Sequence, residues 1–105
     1  MRILLDEGVP IQLRKALSAH SVSTVQLVGW GSYTNGELLS IAEGAFDLFI
    51  TADQNLKYQQ NLTGRKIAIL ELSSNKRRVI EKNFDLITEA IGRIEPGAFL
   101  SLPIS

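Results

Sequence analysis

The sequence contains no cysteine and a single histidine, His20. Without cysteine the chain can form neither disulfide bonds nor thiolate metal sites. One histidine is too few for a zinc site built from imidazole groups. Any metal bound by this chain is therefore held mainly by oxygen atoms, which favours a hard divalent cation such as Mg²⁺.

Long apolar runs and an excess of one charge are also missing. No run of 18 apolar residues occurs, so no membrane span is expected. The chain starts directly on an apolar strand pattern without the organisation of a signal peptide, which predicts a cytoplasmic location. Lys+Arg and Asp+Glu both number 11, and this balance argues against a dedicated nucleic-acid coat protein. It does not argue against a nuclease, in which local patches and a metal hold the phosphate.

Three well-known catalytic or nucleotide-binding motifs are absent as well. The sequence has no Walker phosphate loop, no Gly-x-Gly-x-x-Gly and no nucleophile elbow. Nucleotide-dependent redox chemistry and serine hydrolase chemistry therefore have no support.

The patterns that are present predict one α/β domain over residues 1–105. Hydrophobic residues make up 45% of the chain, enough for a core of two or three layers. Apolar runs alternate with helical patterns, which predicts a three-layer α/β/α sandwich around a mainly parallel five-stranded sheet. Right-handed crossovers favour the strand order 2-1-3-4-5. The predicted strands are 2–6, 22–28, 47–52, 66–72 and 98–102. One helix is predicted to start at Pro10, and three more are predicted over 34–45, 54–61 and 76–94.

Three carboxylates are expected at one end of this sheet. Asp6 ends the first apolar run, Asp53 ends the third, and Glu37 opens the helix between them. Ligands of open α/β sheets bind beyond the carboxyl ends of the strands, and carboxylates there can hold Mg²⁺ or Mn²⁺ for phosphate chemistry. Each has a simpler explanation too. Asp6 can be a solvated strand end or an acid favoured near the N-terminus of the next helix, Glu37 completes a capping box with Thr34, and Asp53 can cap the following helix.

Further polar residues surround these three acids in the sequence. Secondary candidates for the same site are Glu7, Asn35 and Thr51. Basic and amide side chains near the acidic end would bind RNA phosphates as salt-sensitive contacts, although such clusters are most often ordinary solvated faces. The substrate-binding candidates are Asn55, Lys57, Arg65, Ser73 and Asn75.

Five segments of the sequence carry a resemblance to a known family. They are Leu4-Leu5-Asp6-Glu7 with Pro10 and Leu13, His20-Ser21-Val22, Gly29-Trp30-Gly31, Asn35-Gly36-Glu37-Leu38-Leu39, and Thr51-Ala52-Asp53-Gln54-Asn55-Leu56. With these segments the chain is similar, over nearly its whole length, to the small PIN-like proteins grouped with Mut7-C-type domains, also called DUF5615.

The resemblance implies a shortened PIN fold with a metal-dependent endoribonuclease site at Asp6, Glu37 and Asp53. It also implies the toxin half of a type II toxin–antitoxin pair, with a small helix-turn-helix antitoxin as partner. Proteins of this kind often form homodimers, which is a further expectation of the resemblance.

The same residues are also compatible with two other functions. A receiver-like phosphoacceptor would use Asp6-Glu7, Asp53 and Ser73, but it needs a lysine after its fifth strand, and residues 99–103 contain none. A catalytically inactive module would keep the PIN-like fold and only bind a partner protein.

Overall fold

Five short segments form one parallel sheet. The structure, a computed structural model, describes residues 1–62 and 64–105. The strands are β1 (Arg2–Leu5), β2 (Ser21–Thr24), β3 (Leu48–Thr51), β4 (Ala68–Leu72) and β5 (Phe99–Leu102). All paired strands run parallel, in the order β2-β1-β3-β4-β5, which confirms the predicted order.

Helices cover both faces of this sheet, so β3 and β4 are buried along their whole length. Ile3 and Leu5 of β1 belong to one apolar core, whereas Leu4 belongs to a second core on the other face. The helices are α1 (Leu13–Ala16), α2 (Asn35–Ala42), α3 (Leu56–Gln59), α4 (Arg77–Lys82) and α5 (Phe84–Arg93). The first core is packed by α1, α4 and α5, and the second by α2 and α3.

The prediction of one continuous helix over 76–94 is wrong. The segment breaks at Asn83, which separates α4 from α5. The Asn83 side-chain amide donates to the Val79 carbonyl at 2.7 Å and to the Ser105 carbonyl at 3.2 Å. Asparagine side chains that bond to nearby carbonyls compete with helical backbone bonds, which explains the interruption despite the apolar stripe.

Other predicted elements are shorter than expected. The second strand ends at Thr24 instead of residue 28. The Thr24 hydroxyl accepts a hydrogen bond from the Leu27 N–H, and the Thr24 carbonyl accepts one from the Val28 N–H. These two bonds turn the chain away from the sheet. The helix predicted over 54–61 is reduced to α3, and the helix predicted from Pro10 is reduced to α1.

The strand order reverses between β1 and β3. The chain leaves β1 toward β2 on one side and leaves β3 toward β4 on the other, while β1 and β3 are direct neighbours. Such a reversal opens a crevice at the carboxyl ends of the two strands.

Among the described residues, no helix is long and apolar enough to cross a membrane.

Candidate functional site

A hydrogen bond between neighbouring strands fixes the Asp6 carboxylate. The Asp6 N–H donates to the Ile50 carbonyl at 2.9 Å, so pairing with β3 continues one residue beyond β1. The buried Thr51 hydroxyl donates to Asp6 Oδ2 at 2.7 Å, and the Glu7 N–H donates to Asp6 Oδ1 at 2.8 Å. The half-buried carboxylate is thus bonded at both oxygens, each of which keeps a second lone pair.

The same Thr51 hydroxyl also positions Asp53. It accepts from the Asp53 N–H at 3.0 Å while donating to Asp6, so one hydroxyl connects the ends of β1 and β3. Asp53 Oδ1 accepts from the Asn55 N–H at 2.9 Å. An aspartate that bonds the backbone two residues later stabilises a tight turn. Asp53 therefore shapes the turn ahead of α3, whose N-cap position is taken by Asn55.

Glu37 is held in the predicted capping box. Its Oε1 accepts from the Thr34 N–H at 3.0 Å and from the Thr34 hydroxyl at 2.9 Å, and the Glu37 N–H donates to the Thr34 hydroxyl at 3.3 Å. The Thr34 backbone and hydroxyl bonds to this carboxylate lower the pKa of Glu37. The helix cap therefore accounts for the position of Glu37 without a ligand.

The three predicted acids are not gathered into one cluster. Asp6 and Asp53 share the edge of the sheet through Thr51, whereas the Glu37 carboxylate is turned toward its own cap. Across residues 1–62 and 64–105, no three acidic or histidine side chains form a group that could hold a metal ion. Two of the three predicted acids, Asp6 and Asp53, thus follow adjacent strands at the carboxyl edge of the sheet, and we call these two residues the carboxylate pair.

A small cleft of about 90 Å³ lies beside Asp6. The loop after β2 forms its wall, anchored by Trp30, whose ring packs edge-on against Phe46 with 5.9 Å between centroids. A Cβ on Gly31 would come within 2.8 Å of the Glu7 carboxylate, so this position admits no side chain unless Glu7 moves. The cleft is lined by Asp6, Glu7, Val25, Trp30, Gly31, Tyr33, Asn35 and Leu38.

Two of the predicted substrate-binding residues have other partners. The Ser73 hydroxyl donates to the Ile104 carbonyl at 3.0 Å and accepts from its N–H at 2.8 Å, which fastens the end of the chain. Arg65 precedes β4 at the amino end of the sheet, where its guanidinium lies 4.0 Å from Glu43. The structure thus does not bring Arg65 to the acidic edge.

The remaining predicted residues lie closer to that edge. Asn35 lines the cleft, and its amide donates to Gln59 at 3.4 Å, joining the start of α2 to α3. Asn75 is exposed in the loop after β4. Lys57 lies on α3, and its ammonium is 3.3 Å from Glu71.

Glu71 was missed as a candidate by the sequence interpretation. It lies on β4 in register with Thr51, and its side chain is only 4% exposed. Its Oε1 accepts from Lys57 and from the Ser101 hydroxyl at 2.9 Å, while Oε2 is buried without a hydrogen-bond partner among the described residues. A polar row thus crosses the sheet near the ends of four strands, formed by Asp6, Thr51, Glu71 and Ser101. The available signal was one acid inside the apolar segment Ile67–Leu72.

We predict a pH-dependent contribution of Glu37 to stability. Because its pKa is lowered in the folded state, the stabilisation is present above the ordinary value of 4.5 and is lost as the pH falls through the folded value. Thermal unfolding of the wild type and Glu37→Gln should differ most near neutral pH, with the variant less stable, and should converge in strong acid. A gap that persists unchanged in strong acid would contradict this assignment.

Comparisons with family models, with curated proteins and with solved structures find no match for this chain. The functional assignment therefore depends on the residues themselves, and above all on the carboxylate pair at the ends of β1 and β3.

Proposed function

We propose that the chain is a metal-dependent endoribonuclease of PIN-like type that acts in the cytoplasm as the toxin of a type II toxin–antitoxin pair. Its expected partner is a small helix-turn-helix antitoxin. The observation that supports the enzymatic part best is the placement of Asp6 and Asp53. They follow two adjacent parallel strands at the point where the strand order reverses, which is where α/β sheets bind ligands.

The carboxylate pair is suited to Mg²⁺ or Mn²⁺. Magnesium keeps several waters and is commonly bound by one or two carboxylates together with substrate phosphates. Asp6 and Asp53 would therefore hold the ion without a third acid. When bound, such an ion polarises a phosphoryl oxygen and lowers the pKa of a coordinated water.

The protein's own groups would orient this site. Thr51 fixes Asp6 through Oδ2, and the turn from Asp53 to Asn55 fixes the second carboxylate. In this proposal Glu37, predicted as a direct ligand, acts instead through the cap that starts α2 and sets Asn35 beside Asp6.

Lys57 is the best-placed cation for an RNA phosphate. Its side chain is one-third exposed, and its ammonium has three N–H donors, so the contact with Glu71 leaves donors for a phosphate. Asn55, exposed at the start of α3, offers a neutral amide nearby. Phosphate contacts of this kind weaken as salt is raised.

We predict that Asp6→Asn and Asp53→Asn each lower Mg²⁺-dependent cleavage of single-stranded RNA by at least about 100-fold, since even the outer partners of metal ligands typically contribute 10–100-fold. Asp47→Asn is the matched control, because Asp47 precedes β3 at the opposite end of the sheet and pairs with Arg2 at 3.2 Å. Initial rates and circular dichroism of the three variants check this. Equal activity of all three would exclude the proposed site.

Thr51→Val should lower the same cleavage rate by roughly 10–100-fold, because the isosteric change removes the hydroxyl that orients Asp6. Thr51→Ser keeps the hydroxyl and should retain most of the activity. Rates would be measured over a range of Mg²⁺ concentrations, where the valine variant should need more metal. If serine and valine variants are equally impaired, packing of the methyl group and not the hydroxyl matters.

The strand order also favours a second candidate, a receiver-like phosphoacceptor, because flavodoxin-like receiver domains have the same order. Against it, Ser73 is bonded to Ile104, and the segment 99–105 has no lysine. Incubation with a small phosphodonor followed by mass spectrometry separates the two functions. A phosphoaspartate at Asp53 would favour the receiver.

A catalytically inactive binding module is favoured by a different observation, the retention of Glu37 in its cap. A ligand that binds only the folded state raises the apparent stability. The proposed nuclease should therefore melt at a higher temperature when Mg²⁺ or Mn²⁺ is added. No shift with either ion would favour the inactive module.

A further inference from the structure

Tyr58 is unusually exposed for an aromatic residue close to the proposed site. It is 80% exposed, more than any other large apolar side chain in the described part of the chain. It lies on α3, five residues after Asp53. The Lys57 ammonium lies 5.3 Å from the centre of the Tyr58 ring, a favourable cation–π distance.

A surface cleft of about 550 Å³ runs beside this tyrosine. It combines aromatic rings, one ammonium group and side-chain amides, and Phe99 at its end is itself 37% exposed. Within the described residues, Lys57 is the charged member of the lining, and no carboxylate belongs to it. The lining residues are Lys57, Tyr58, Gln60, Asn61, Leu62 and Phe99.

We propose that this cleft binds a base of single-stranded RNA, which stacks on Tyr58 while Lys57 contacts an adjacent phosphate. Proteins recognise unpaired RNA bases by stacking them on aromatic rings and by hydrogen bonds to their edges. The amide of Gln60 supplies both a donor and an acceptor for such an edge. The inference rests on the proposed nuclease function, for which it names a substrate-binding subsite.

A chain of contacts connects this cleft to the acidic edge. Lys57 bonds to Glu71, and Glu71 is in register with Thr51, which in turn bonds to Asp6. Since neighbouring strands lie about 4.8 Å apart, β4 is roughly 10 Å from β1. Three stacked nucleotides, at about 3.4 Å each, cover that span. A short single strand with one base on Tyr58 is thus expected to extend from α3 toward the acidic edge.

The test compares two fluorescently labelled octanucleotides, one of unstructured RNA and one with the same backbone but abasic. Binding is measured by fluorescence anisotropy at low salt in EDTA, which prevents metal-dependent cleavage. Tyr58→Ala should weaken binding of the base-containing RNA by roughly 5- to 150-fold. It should leave binding of the abasic probe unchanged, and Tyr58→Phe should bind both probes like the wild type.

Ile11→Ala is the matched control, because Ile11 is exposed on the other side of the sheet and should affect neither probe. Thermal unfolding checks that each variant is folded. An equal loss for both probes, or no loss for either, would overturn the stacking proposal. Light scattering would also overturn it if the wild type self-associates and Tyr58→Ala does not, because the ring would then belong to a protein interface.

The outcome is separable from that of the nuclease proposal. Base-dependent binding that requires Tyr58, in a protein that cleaves no RNA with Mg²⁺ or Mn²⁺, would retain the subsite and reject the nuclease. Cleavage that depends on Asp6 but is accompanied by unchanged binding in Tyr58→Ala would retain the nuclease and reject the subsite.

Discussion

The hydrogen bonds of the Thr51 hydroxyl hold the candidate site together. This one group donates to the Asp6 carboxylate and accepts from the Asp53 N–H, so it ties the ends of two strands that are far apart in sequence. A hydroxyl can do both because it has one donor and two acceptor lone pairs. Its β-branched side chain also suits the buried end of a central strand. Thr51 therefore holds the Asp6 carboxylate and the Asp53 backbone, and the Asn55 N–H holds the Asp53 carboxylate.

The parallel sheet separates the acidic residues into two electrostatic environments. At the amino ends of the strands, Asp47 is bonded by the guanidinium and N–H of Arg2, which lower the pKa of this carboxyl. At the carboxyl ends, Asp6 and Asp53 are oriented by a hydroxyl and by backbone N–H groups, and within residues 1–62 and 64–105 neither carboxylate forms an ion pair. A carboxylate without an ion-pair partner is available to a metal, and this contrast distinguishes the proposed ligands from an ordinary surface acid.

Much of the fold was predictable because its signals are local. Alternating apolar and helical segments predicted the layers, and the spacing of Thr34 and Glu37 predicted the cap. The strand order followed from the general preference for right-handed crossovers. The break at Asn83 was not predictable, since its amide bonds to Ser105 at the end of the chain as well as to Val79. The apolar stripe that predicted one helix is compatible with two short ones.

The site was predictable only in part, because several of its contacts join residues that are far apart in the sequence. The positions of Asp6 and Asp53 at strand ends follow from the sequence, but the bond that connects them through Thr51 depends on strand register. Glu37 satisfied two patterns at once, and the local one determines its orientation. Glu71 acquires its partners from α3 and β5, which no spacing along the chain indicates.

Paramagnetic broadening by Mn²⁺ in amide NMR spectra tests the carboxylate pair most directly. With substoichiometric Mn²⁺, the amide signals of Asp6, Glu7 and Asp53 should broaden first, while those of Arg2 and Asp47 at the opposite end of the sheet stay sharp. Asp6→Asn should abolish this pattern. Broadening centred on another acidic surface, or no saturable broadening at all, would contradict a metal site at the ends of β1 and β3.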